Sequence, residues 1–380
     1  MTMKNKLTIR LALLILCAFS INTTFAQDVR QKPVVKKQTT TTTKQSATTK
    51  QTTASTKKQA SQVGVQCKWN NASNFSEGLA KVENANWKSG FIDKTGRLVI
   101  PCQWKYAWKF SEGLAYVKDA NGKYGYIDKT GQVVIPCKWN DADNFHEGLA
   151  KVKDANDKMG YIDKTGRLVI PCQWKWAWEF HEGLARVQDA NDKYGFIDKT
   201  GQVVIPCQWK SAGNFIEGLA SVRDANGKEG YIDKTGKVAI PCKWNEAWSF
   251  DDGLAVVRDT NKKWGYIDKT GKVAIPCQWD KAYSFSEDLA IVQDANGKEG
   301  FIDKTGQIVI PYKWKDVRGF SEGLAPVQDT NNKWGFIDKT GRLVIPCKWN
   351  WAGWFSEGLA LVMDANYKYG FIDKTGKVLK

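Results

Sequence analysis

Three kinds of side chain in this sequence have the chemistry for catalysis or metal binding: carboxylates, cysteines and two histidines. Paired carboxylates flanking a glycosidic bond act as acid and base or nucleophile in glycan hydrolysis. Here Glu77, Glu112, Asp93 and Asp128 have equivalents along the whole chain, as turn and cap residues do. A catalytic pair should instead be a single departure from the pattern. His146 and His181 both precede Glu-Gly, a position held elsewhere by Ser76, Ile216 or Asp251. They read as surface residues, and neither offers a Ser–His or Cys–His pair.

Eight cysteines lie beyond residue 26: Cys67, Cys102, Cys137, Cys172, Cys207, Cys242, Cys277 and Cys347. All occupy one repeat position, with Tyr312 in the remaining slot. Equivalent points on successive packed sheets lie about 10 Å apart, beyond the ~7 Å reach of a disulfide. Each cysteine is therefore expected to be a small buried hydrophobe. No Cys-x-x-Cys or paired His argues for zinc. Asp119-Ala120-Asn121-Gly122-Lys123 resembles a calcium loop at its first and third places, but Lys123 stands where an oxygen ligand is required. No catalytic residue, cofactor or metal is expected.

A repeat positions these residues. Gly125-Tyr126-Ile127-Asp128-Lys129-Thr130-Gly131 recurs nine times at a spacing of 35, with copies beginning at Gly90, Gly125, Gly160, Gly195, Gly230, Gly265, Gly300, Gly335 and Gly370. An apolar run enters the Asp-Lys-Thr-Gly turn and another leaves it, which predicts a hairpin. The Asp carboxylate accepts from the backbone two residues on, and the Gly supplies positive φ. Leu114-Ala115-Tyr116-Val117 leads into a second turn, Asp119-Ala120-Asn121-Gly122, so each repeat reads as a three-stranded meander.

The third strand, as in Leu98-Val99-Ile100-Pro101-Cys102-Gln103-Trp104, is apolar on both parities and reads as covered on both faces. Its proline marks it as an edge or as the end of regular pairing. Trp104, Ala107 and Phe110 then fall at i, i+3 and i+6, the stripe of a short helical or 3₁₀ turn. Off that stripe stand Tyr106, Trp108, Trp176, Trp178, Trp248, Tyr283, Trp351 and Trp354, which vary from repeat to repeat. They are the candidate ligand-binding residues, stacking on sugar rings or burying into a protein partner; packing between repeats is the alternative.

The array resembles the bacterial WG-repeat family, with its pattern W-G-[YF]-I-[DN]-x-x-G-x-x-V-I-P followed by A-x-x-F-x-E-G-L-A-x-V. The naming tryptophan survives at Trp264-Gly265 and Trp334-Gly335, whereas Ser89, Tyr124, Met159, Glu229 and Glu299 hold the place elsewhere. That position is therefore expected to be half-exposed. The resemblance implies a β-repeat fold and carries no catalytic residues.

Residues 1–26 read as a secretory signal peptide: Lys4, Lys6 and Arg10 precede an apolar run from Leu11 to Phe19, with cleavage after Ala26. Residues 27–62 are rich in Thr, Lys and Gln and read as a disordered linker. This linker holds 8 basic residues against 1 acidic, so much of the net charge of +16 lies outside the array. A nucleic-acid partner is correspondingly disfavoured, and no later segment suits a transmembrane helix.

Residues 63–380 form the nine-repeat array. The expected fold is all-β, an open β-solenoid of three-stranded repeats. The alternative is a closed, propeller-like ring in which Val63-Gly64-Val65-Gln66-Cys67 completes a sheet with Lys377-Val378-Leu379. The expected role is that of an exported, non-enzymatic binding or scaffolding module of the bacterial envelope or extracellular space. Its partner would be a glycan or a protein; a carboxylate-dependent glycan hydrolase and a purely structural surface protein are the alternatives.

Overall fold

The computed structural model describes residues 67–379, so the expectations for residues 1–26 and 27–62 fall outside it. Among the described residues every regular element is a strand, and the strands build nine small antiparallel sheets. The first blade shows the plan: Asn71–Ala72, Leu79–Glu83, Ser89–Asp93 and Leu98–Trp104 pair in that order. Eight of the blades thus have four strands, one more than the sequence suggests, because the segment after the tryptophan is extended. In the third blade, Asp141–His146 pairs with Leu149–Lys153, with a register shift between Ala150 and Val152. Asp143 and Asn144 together oppose Lys151, a bulge. That extra residue puts Ala142 and Phe145 on one face although they are three apart, the spacing that imitates a helix.

The blades close into a ring, so the open solenoid is not the fold. An aromatic of each Gly-Tyr/Phe-Ile-Asp strand meets the phenylalanine just ahead of the next blade's Glu-Gly or equivalent turn: Phe91–Phe110 at 4.8 Å, Tyr126–Phe145 at 5.0 Å, and so on. The ninth contact, Phe371–Phe75 at 4.8 Å, joins the last blade to the first. One core cluster combines Ala72, Phe75, Val82 and Ile92 with Leu359, Leu361 and Phe371. The last blade has three strands of its own, Trp351–Ser356, Leu359–Met363 and Tyr369–Asp373. Its outer place is shared by both chain ends, since Trp69 bridges Tyr369 and Val378 bridges Ile372.

First strands approach the first and second strands of the neighbouring blade, whereas outer strands meet their own third strand. First strands therefore lie nearest the axis and outer strands form the rim. This corrects the expected two-sided cover: in Leu98–Trp104 only Ile100 is buried, and Leu98, Pro101 and Gln103 are exposed. A proline in eight of these edge strands removes a donor and blunts the edge. The tryptophan ending the strand is buried at Trp139, Trp244 and Trp349 and half-buried elsewhere.

The turns follow from the motif. Asp93 Oδ1 accepts from Thr95 N at 2.9 Å, Thr95 Oγ1 at 2.6 Å and Arg97 N at 3.1 Å, which holds its carboxyl below the usual range. Gly131 takes φ of 88° and rests on Ile100 of the preceding blade.

Candidate functional site

Antiparallel order puts two kinds of turn on each face of the ring. One face holds the Glu-Gly turns and the Asp-Lys-Thr-Gly turns, and together they make a belt. Glu77 sits at φ of 54°, in a hairpin where Gly78 also has positive φ. A non-glycine residue there costs roughly 1 kcal/mol. Its carboxylate reaches the next blade, accepting from Gly113 N at 3.0 Å and pairing with Lys129 Nζ at 3.0 Å. The arrangement passes from blade to blade and closes where Glu357 accepts from Gly78 N at 3.0 Å and pairs with Lys94 at 2.9 Å. These acids read from sequence as turn residues, and their link between blades was not legible. Asp252 is the shorter member, 3.4 Å from Asp288 N.

The opposite face holds the links from outer strand to next blade and the Asp-Ala-Asn-Gly type turns. The candidate aromatics lie on the first strands or, for Trp108, just past one, and six of the eight are half-buried against their neighbours. Tyr106 and Trp108 stack at 6.1 Å and meet Tyr116 at 6.2 and 6.5 Å, with Tyr124 6.0 Å beyond. Trp178 carries the Arg186 guanidinium 4.0 Å above its ring and meets Tyr194 at 5.6 Å. Trp248 meets Trp264 at 5.3 Å and Tyr283 at 6.2 Å. Arg318 lies among Trp334, Trp351 and Trp354 at 4.6, 4.8 and 5.3 Å and donates to Ala352 O at 3.0 Å. Trp176, 46 % exposed, and Tyr283 are the two reaching furthest into solvent. The eight therefore form separate groups, not one continuous stripe.

The position of the naming tryptophan is half-buried at Tyr124, Tyr194 and Tyr369, as expected, but buried in the other six repeats. Trp334 and Met159 are covered, and so is Glu229, which is 3 % exposed. Burial pushes the Glu229 carboxyl up, yet it is met by Arg223 at 2.6 Å and by the N–H of Ala247 in the next blade. The seam between blades thus accepts an aromatic or a satisfied charge.

One seam does hold an acid pair that departs from the repeat. Asp143 is 3.0 Å from Lys151 Nζ, and the Glu179 carboxyl of the following blade hydrogen-bonds Asp143. Burial and the Asp143 charge raise the Glu179 pKa; burial works against Asp143 ionising, but Lys151 carries it below the usual range. Of the two, Glu179 is the one that gains proton affinity on folding. From the ordinary Glu range up to its raised pKa, the folded state holds one more proton than the unfolded, so stability falls as pH rises. Asp143 acts oppositely: its contribution is lost as pH falls below the ordinary Asp range. Glu179→Gln keeps a donor and removes the titration. Its melting temperature should match the parent at about pH 4 and exceed it at about pH 8; equal profiles at both would dismiss the raised Glu179 pKa.

His146 and His181 stack at 5.9 Å on adjacent blades, and burial together with His146 lowers the His181 pKa. Among the described residues no three His, Cys, Asp or Glu side chains group to hold a metal. Sequence reasoning passed over the two most exposed aromatics, Trp87 and Tyr367, 63 % and 71 % exposed. Their signal was a departure at the glycine of the Asp-Ala-Asn-Gly turn.

The family described as WG containing repeat matches residues 61–86, 90–124, 124–158, 159–194, 194–228, 230–264, 264–298, 300–334 and 334–368. No curated protein matches the sequence significantly. Three solved structures are similar in fold: the computationally designed Ika8 protein (11 % identity, 81 % of this chain and 96 % of that one, TM-score 0.42), BamB from Moraxella catarrhalis (10 %, 70 % and 95 %, 0.42), and Sqt1 of Saccharomyces cerevisiae (11 %, 72 % and 94 %, 0.40).

Proposed function

Because the chain belongs to the WG containing repeat family and closes its repeats into a ring, we propose that it is an exported, non-enzymatic binding and scaffolding module of the bacterial envelope or extracellular space. It engages a glycan or protein through aromatics on the face of the links between blades. The supporting observation is that core and belt repeat from blade to blade while the aromatics of this face do not, with Trp176 and Tyr283 open to solvent. Residues freed from the repeat are free to answer to a ligand.

The hydrolase alternative would use Asp143 and Glu179, the pair that departs from the pattern. Glycosidases hold their carboxyls about 5 Å or more apart so that the scissile bond fits between them. Asp143 is instead held at 3.0 Å by Lys151 with Glu179 close beside it, which argues against such a gap in this pair.

The test is retention of the purified ring on immobilised peptidoglycan and on detergent-solubilised envelope proteins, with assay of new reducing ends in the glycan arm. Retention on either without bond cleavage is expected. Passage through both columns unretained, or release of reducing ends, would sink the reading.

A further inference from the structure

We propose that Trp87 and Tyr367 form a two-platform site for a polysaccharide chain, straddling the seam where the ring closes. This rests on the binding reading above and names its ligand class. The two residues occupy equivalent turns of the first and last blades, which closure makes neighbours. Each has left-handed φ, 57° at Trp87 and 60° at Tyr367. The corresponding residues of the other blades are Gly122, Asp157, Asp192, Gly227, Lys262, Gly297 and Asn332. Gly, Asp and Asn tolerate that conformation, whereas a bulky aromatic is an outlier there. Here it also exposes a large apolar surface, so neither backbone nor burial rewards the choice. A contact made outside the fold does.

The turns are tied together. Lys368, next to Tyr367, donates to Asn70 Oδ1, and Asn70 Nδ2 donates at 3.1 Å to Asn84 O, which begins the Trp87 turn. One asparagine side chain spans the gap, and both turns are pinned internally: Asn84 Oδ1 accepts from Asn86 N at 3.0 Å, and Asp364 Oδ1 from Asn366 N at 2.8 Å. The platforms are therefore held at a fixed separation, on the order of the 10 Å between packed sheets, and a few linked sugars cover that step.

The surroundings favour sugar over protein. Each aromatic follows an asparagine and precedes a lysine, in Asn86-Trp87-Lys88 and Asn366-Tyr367-Lys368. A pyranose presents C–H bonds on its face, which lie on an aromatic ring, and hydroxyls at its edge, which suit amides and amines. An aromatic anchoring a protein interface sits in a well-packed apolar setting; these stand in exposed turns with no large apolar neighbour, beside Ala85 and the polar Asn86 or Ala365 and the polar Asn366.

Trp87→Gly and Tyr367→Gly install the residue that three other blades use at this turn, so folding is retained. Binding of the intact protein to cellohexaose, chitohexaose and soluble peptidoglycan fragments would be followed by calorimetry, with melting temperature alongside. At least one probe should bind the parent. Each variant should weaken it about tenfold, the double variant should abolish it, and both variants should melt at or above the parent temperature as strain is relieved. A parent that binds a probe equally well with both residues replaced overturns this site and leaves the binding function standing. A lower melting temperature in the variants assigns the aromatics to packing and also overturns the site. A parent retained only by envelope proteins and by no glycan overturns the ligand class; a parent retained by nothing overturns the binding function as well.

Discussion

A chain begun at Lys138, without the first two blades, should lose the cooperative fold of the seven that remain. In an open array each repeat leans on its neighbours, so shortening subtracts a few interface terms and leaves the rest standing. In a ring the same cut removes two seams at once. At one end Phe371 loses Phe75, Glu357 loses the Gly78 N–H and Ser356 Oγ loses Phe75 O. At the other, Phe145 loses Tyr126, and Gly148 N–H loses Glu112. The faces uncovered include Phe145, Phe371, Leu359 and Leu361, each buried in the ring. At about 1.5–3 kcal/mol for each large apolar side chain returned to water, the loss is comparable to the whole 5–15 kcal/mol of a typical domain. Circular dichroism melting and hydrogen exchange of the fragment check this. A single sharp transition near the parent temperature, with protected third strands, would restore the open array.

What the sequence made legible, and what it hid, divides along physical lines. The Asp-Lys-Thr-Gly hairpin was readable because its determinants are local: Asp93 Oδ1, Thr95 and Gly96 lie within four residues of one another. The first strand was not, because a bulge at Asp143-Asn144 gives Ala142 and Phe145 a helical spacing. The outer strand misled in another way. Val133 and Val134 look like core residues, yet they stand exposed at the rim, where composition reports strand propensity and not burial. Ring closure turns on a small rotation per blade that no single repeat encodes, and the complementary pieces at the two chain ends were its one trace. The aromatics were seen as a class, but a repeat pattern cannot tell a Trp178 lying beneath Arg186 from a Trp176 in solvent.

Gly195→Ala should be among the most damaging single changes, and the reason explains which member of the Trp-Gly pair the array keeps. Opposite Gly195 the outer strand bulges: Tyr194 pairs with Trp209 and Phe196 with Ile205, so Pro206, Cys207 and Gln208 crowd against a single residue. A Cβ on Gly195 would lie 2.5 Å from Ile205 O, 2.7 Å from Cys207 N and 2.9 Å from Cys207 Sγ. Two of those atoms are backbone, so relief requires the third and outer strands to part. Forced overpacking of this kind costs about 3 kcal/mol or more. Gly183 is the contrasting case, with φ of 86° and nothing within 4 Å of an added Cβ. Gly183→Ala pays for conformation alone, on the order of 1–2 kcal/mol. Denaturant melts of the two variants should therefore rank Gly195→Ala well below Gly183→Ala; the reverse order would discard the close-approach argument. The preceding position faces a seam that Trp334, Met159 or a paired Glu229 can fill, so its side chain varies. The glycine has the backbone of the bulge against it in every complete blade, and no side chain fits there.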